Sequence, residues 1–190
     1  MGYVVLGCRC VVGFVFLASV VGKLRGRDPY SGFVVATGRL GPRWLVSRVP
    51  AGVLAPGVIA AEAAVLVLLL RPRSVWVGFL LAGLLACAFA VAVLAALRRR
   101  DRAPCHCFGG SARPVGVAHL VRNGVLAAAA GLGLAGGADA AGRLKPAGVA
   151  ATVVAAVVVV AVVMTADEIA GLFKPVASTD VHPATKGSMR

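Results

Sequence analysis

The chain has 190 residues, 59% of them hydrophobic and 14% charged, with a formal net charge of +13. With a mean hydropathy of +0.91, this excludes an ordinary soluble domain and points to one small integral membrane domain in a lipid bilayer. The basic excess is read as loops facing anionic lipid headgroups and calls for no nucleic acid.

Five apolar spans follow in chain order: Tyr3–Val21, Ala51–Leu70, Ser74–Leu97, Val115–Gly137 and Ala147–Met164. Each approaches or exceeds the roughly 18–20 residues that cross a bilayer as a helix. A helix is the simplest form for each, because lipid offers the backbone no hydrogen-bond partners. The first span is kept as a permanent helix. Its basic residues, Lys23, Arg25 and Arg27, follow the apolar run, the wrong order for a cleaved signal. "VLGC" (Val5–Cys8) resembles a lipoprotein cleavage box, but too few apolar residues precede it.

Between the first two spans, Tyr30–Val49 mixes Phe33, Val34, Val35, Leu40, Trp44 and Leu45 with Arg39, Arg43 and Arg48. It is too short and too charged to span, so a segment lying at the membrane surface is expected, with Trp44 among the headgroups. The connections after spans one and three carry most of the arginines. With five spans, these two connections and the C-terminal tail share one side. The positive-inside rule puts that side in the cytoplasm and the N-terminus outside the cell membrane. The tail from Thr165 is polar, and its final stretch reads as disordered.

The five cysteines are Cys8, Cys10, Cys87, Cys105 and Cys107. Cys87 reads as a small buried apolar residue. Cys8 and Cys10 lie two apart on a helical span and so point to different faces, where they cannot pair. Cys105 and Cys107 stand in "APCHCFGGSARP", a stretch that is not helical. Pro104 pushes Ala103 towards an extended conformation, and Gly109–Gly110 permits a sharp turn. A turn brings residues two apart within disulfide range, though with strain, and a strained bridge is readily reduced. Upstream, Arg98, Arg99, Arg100 and Arg102 favour the reactive thiolate. A redox pair is the leading reading, and two structural thiols in a loop are the other. A metal site comes third, since Cys105, His106, Cys107 and the distant His119 suit a tetrahedral ion poorly.

Polar groups also fall inside the spans. Glu62 lies about eleven residues into its span, roughly 16 Å deep. Arg122 lies about seven residues into its span, roughly 10 Å deep. An unpaired charge at such depth is costly. The economical expectation is a Glu62–Arg122 pair assisted by Asn123 or Lys23, acting as a packing clamp or as a polar pocket beneath the cysteine loop. No cofactor follows with certainty; such a pocket suits a quinone headgroup or a thiol's proton. His119 reads as an interfacial histidine facing headgroups.

"CHCFGG" (Cys105–Gly110) matches the C-x-C-F-G signature of the methylamine utilisation protein MauE family, within the wider DoxX-like group. "CRCVVGFVFLASVVGKL" resembles the family's first helix, with Arg9 near its start and Lys23 at its end. Glu62 in "IAAEAAVLVLLL" matches an acidic residue of the second helix, and Arg122–Asn123 matches an Arg-Asn pair after the cysteine loop. The sequence departs in having His106 where a glycine is common, and in its fifth span. The resemblance covers roughly residues 1–135. It implies thiol–disulfide redox with Cys105 and Cys107 exchanging, and Lys23, Glu62, Arg122 and Asn123 supporting. It also implies a thioredoxin-like companion and an exported client whose disulfides are formed or maintained, as in methylamine dehydrogenase maturation. An exported client is oxidised outside, whereas charge puts the cysteines inside. Either electrons cross the membrane or the charge rule fails here. The alternative function is a non-enzymatic scaffold for a thioredoxin-like protein or an oxidase. A solute carrier ranks below both, for want of an inverted repeat.

The expected fold is therefore an all-α integral membrane protein. Its parts are a four-helix DoxX-like bundle over 1–137, a linker and fifth span over 138–164, and a polar tail over 165–190.

Overall fold

The computed structural model describes residues 1–41, 43–98, 104–105, 113–114, 117–137 and 145–172. The long helices are α1 (Gly2–Leu24), α4 (Ala51–Leu70), α5 (Val75–Arg98), α6 (Val117–Ala135) and α7 (Pro146–Leu172). Each of the five expected spans falls on one of them, and all five are long and apolar enough to cross a membrane. The Tyr30–Val49 region forms two shorter helices, α2 (Arg27–Leu40) and α3 (Arg43–Val46). A 3-10 turn, Pro72–Ser74, links α4 to α5.

Helices α1, α4, α5 and α6 form a bundle in which α1 and α5 each contact both α4 and α6. Its core interleaves Val12, Val15 and Phe16 of α1 with Val65 and Leu69 of α4, Phe79, Ala82 and Ala86 of α5, and Leu126 and Ala130 of α6. Lipid solvates apolar side chains as well as a core does, so close packing rather than water exclusion joins these helices, and small residues allow it. The alanines of α5 and α6 serve that end. Gly133 does so most directly: a Cβ there would overlap the ring of Phe79, which is fully buried. Outward faces such as Leu17, Val21, Leu84, Val91 and Leu132 stay exposed, as lipid-facing positions should. At the far end of α6, Gly137 adopts φ 71°, a left-handed conformation that glycine accepts without strain and that stops the helix.

Helix α7 packs on the outside of α1 and touches α6 less. Gly148 sits against the ring of Tyr3, and Tyr3 Oη accepts the backbone N–H of Lys145 at 3.0 Å. The helix runs on to Leu172, eight residues past the expected end of the span at Met164. Its last turns, TADEIAGL, hold two alanines, a glutamate and a leucine, all good helix formers, so polarity takes the helix out of the apolar stretch without ending it. The tail read as disordered, 178–190, lies outside the described residues.

The segment expected at the membrane surface forms helix α2, which is amphipathic. It packs against α4 and α1, with Phe33 and Ala36 each 2% exposed, because its apolar residues at i and i+3 fit one end of the bundle. Cys87 is exposed rather than buried. The inward stripe of α5 runs through Phe79, Ala82, Ala86 and Val93, and Cys87 lies one residue, about 100° of helix turn, away from it.

Candidate functional site

One buried stripe of α1 reads Val12, Val15, Phe16, Ser19, Gly22 and Lys23. Its spacing, three and four residues apart, brings a serine and a lysine onto the face that carries the core. Lys23 is 1% exposed and Glu62 of α4 is also 1% exposed. Lys23 Nζ donates to both Glu62 carboxylate oxygens, at 2.6 Å each, and to Ser19 Oγ at 2.6 Å. Ser19 Oγ in turn donates to Glu62 Oε1 at 3.1 Å. The ammonium thereby uses all three of its N–H bonds. Phe33 of α2 covers it, the ring centroid lying 4.6 Å from Nζ, with Phe89 of α5 at 5.9 Å. A cation over an aromatic face gains further stabilisation when desolvated.

The carboxylate therefore meets Lys23, where depth along the spans pointed to Arg122. The physical reason is rotation. Lys23 shares the inward stripe of α1, and α1 packs directly on α4, so the long lysine stem reaches back into the bundle to the carboxylate. Arg122 and Asn123 of α6 are both buried, at 7% exposed, and line the same cavity. Asn123 Nδ2 donates to the carbonyl of His119 one turn earlier, at 2.8 Å. His119 is half-buried and also lines this cavity.

The cavity, about 190 Å3, lies between the second half of α1, α2, the first half of α4, the last part of α5 and the start of α6. All four residues expected to support the site, Lys23, Glu62, Arg122 and Asn123, thus come together at one end of the bundle. Ser19 was missed. Its signal was the α1 stripe, which puts it one turn before Lys23. Apart from these polar groups and Thr37 the lining is apolar, with Val15, Phe16, Leu54, Val58 and Leu126 among its walls.

Of the cysteine loop, the described residues are two short strands, β1 (Pro104–Cys105) and β2 (Arg113–Pro114). They pair antiparallel, Pro104 opposite Pro114 and Cys105 opposite Arg113. Strand β1 packs against α2, the helix that walls the cavity. Cys107 and Phe108 lie outside the described residues. Cys8 and Cys10 are both half-buried and unpaired on α1. Among the described residues no group of three or more His, Cys, Asp or Glu side chains could hold a metal ion.

The fold and site define a multi-pass helical membrane protein, with an internal polar cluster at the end where the cysteine loop joins α5 to α6. The chain belongs to the family of the methylamine utilisation protein MauE, whose model matches residues 1–136. That match takes in the four-helix bundle, α2, α3 and the cysteine loop, and stops before α7. No curated protein and no solved structure matches the chain.

Proposed function

We propose that this protein is a membrane thiol–disulfide exchanger, with Cys105 and Cys107 as the exchanging pair, supporting disulfide formation in a partner protein. The four-helix unit, residues 1–137, would carry the activity, with α7 an added span and the tail beyond it a separate part. In the exchange, a client thiolate attacks one sulfur of the Cys105–Cys107 disulfide, and the other cysteine leaves as thiolate. The client's second thiolate then attacks its own sulfur in the mixed disulfide. The client S–S bond forms and the second cysteine leaves, so two electrons pass from client to protein. A thioredoxin-like companion and an exported client are the partners that family membership suggests, with a methylamine-oxidising enzyme as one such client.

The observation that carries this reading is the setting of Cys105. Its backbone is extended, paired with β2, and seated on α2 beside a cavity that holds a buried ion pair. The test is mixed-disulfide trapping in cells with Cys107→Ser. A reductant-sensitive adduct with a thioredoxin-like protein or an exported client is expected, and none with Cys105→Ser/Cys107→Ser. Normal client maturation by the double-serine variant would transfer the reading to a scaffold with structural cysteines.

Orientation follows the charge argument, with the cysteine loop cytoplasmic and the N-terminus outside. In a background lacking the other four cysteines, a membrane-impermeant maleimide should miss position 105 in intact cells and reach it after lysis. Rapid labelling in intact cells would reverse the assignment. It would also remove the need to carry electrons across the bilayer to an exported client.

A further inference from the structure

The exchange leaves two electrons on Cys105 and Cys107, and the cavity walled by α2, the helix on which β1 rests, has the chemistry of an acceptor site. Three observations carry this. First, the walls are apolar, and Phe16, Phe33 and Phe89 bring aromatic rings to them. The volume, about 190 Å3, is below the roughly 300–1,000 Å3 of sites for drug-sized ligands, and suits a head of one or two rings. Second, Ala88 of α5 lines the cavity and is itself exposed, on the same outward stripe as Leu84 and Val91. The cavity therefore opens onto the lipid-facing side of α5, where a lipid-dissolved ligand would arrive. Third, the buried charges of Lys23 and Glu62 satisfy each other. The Lys23 ammonium gives its N–H bonds to Glu62 and Ser19.

Asn123 differs. It is 7% exposed and lines the cavity, and one of its amide N–H bonds goes to His119 O. Its second N–H and its Oδ1 have no partner among the described residues. These groups are reachable from the cavity, so a ligand that offers both an acceptor and a donor can complete them.

We infer that the cavity binds a quinone ring, anchored by the Asn123 amide. An amide carries both donor and acceptor, so it suits both redox states. Its N–H donates to the carbonyl oxygen of the quinone. Its Oδ1 accepts from a hydroxyl of the hydroquinone. The acceptor role rests on the thiol–disulfide reading, whereas the binding does not. Two S–H bonds break and one S–S bond forms at the cysteine pair, releasing two electrons and two protons. The quinone takes both, its two C=O groups becoming C–OH groups.

The test uses the full chain purified in detergent, with decyl-ubiquinone and menadione as probes in calorimetric titration. Saturable binding is expected in the wild type. Asn123→Ala, and Ala92→Phe, which fills the cavity from α5, should each weaken it at least tenfold. Cys105→Ser/Cys107→Ser should bind like the wild type. An azido-quinone should photolabel peptides from α2 and from residues 88–93 of α5, a readout that stands even if a variant fails to fold. Absence of saturable binding, labelling confined to other helices, or displacement by phosphatidylglycerol at equal concentration would overturn the site. Binding without oxidation of the reduced cysteine pair would overturn the acceptor role alone. A trapped client adduct without quinone binding would leave the exchange reading standing and remove this one.

Discussion

Replacing Glu62 by leucine will destabilise the protein more than replacing Glu62 and Lys23 together. Lys23 is 1% exposed, and its ammonium bonds both carboxylate oxygens at 2.6 Å. Removing the carboxylate strands a positive charge inside the bundle, with Ser19 as its remaining hydrogen-bond partner of that cluster. Breaking a buried pair from one side costs about 3–5 kcal/mol, whereas replacing both partners by apolar groups of similar volume is often neutral. The Lys23→Met single variant should also lose stability, because it leaves the carboxylate buried. The Lys23→Met/Glu62→Leu double variant should regain more than half of the combined loss. Ser19 can then turn to a carbonyl of its own helix. Thermal unfolding in mild detergent of the four proteins of the cycle measures this directly. Strict additivity would mean that the two groups do not hold each other.

The second large effect is expected at Gly133. Its Cα faces the buried ring of Phe79 so closely that an alanine methyl would overlap it. Gly133→Ala should lower stability by about 1–3 kcal/mol through overpacking, against a helix-propensity gain of up to about 1 kcal/mol. Gly131, two residues earlier on the same helix, has nothing within 4 Å of a built Cβ, so Gly131→Ala should be neutral or slightly stabilising. Shortening the ring with Phe79→Leu should rescue Gly133→Ala. The measurement is the shift in unfolding temperature for each variant and for the pair. Equal behaviour of Gly131→Ala and Gly133→Ala would show that α5 and α6 do not approach as described.

Lys23 shows where reading along a chain loses information. Depth along the spans was legible for Glu62 and Arg122, since it follows from counting residues from the start of a span. Partner choice was not, because it needs the rotation of each helix about its axis and the order of helices around the bundle. The stripe from Val12 to Lys23 carried the rotation of α1 in plain view. Nothing in the sequence stated that α1 would stand beside α4 with that stripe facing it. Cys87 failed for the same reason. Hydropathy treats every face of an apolar helix alike, and in lipid an outward cysteine costs no more than an inward one.

The segment expected at the membrane surface shows what a single element leaves open. Alternating arginines and apolar residues in Tyr30–Val49 described an amphipathic helix correctly. Whether its apolar face meets lipid or protein depends on the space left between the ends of α1, α4 and α5. Phe33 fills that space and lies over the Lys23 ammonium.

Composition and hydropathy alone determined the class, the five spans and the presence of charges within them. The C-x-C-F-G signature determined the family. These are properties of single segments, set by transfer from water to lipid and by local backbone chemistry. Only the tertiary structure decided that Glu62 belongs to Lys23, that Ser19 completes the cluster, and that α2 closes a cavity over them. Those outcomes arise from side chains meeting across helices that are distant in sequence, where close packing selects one rotation for each helix among several that its hydropathy allows.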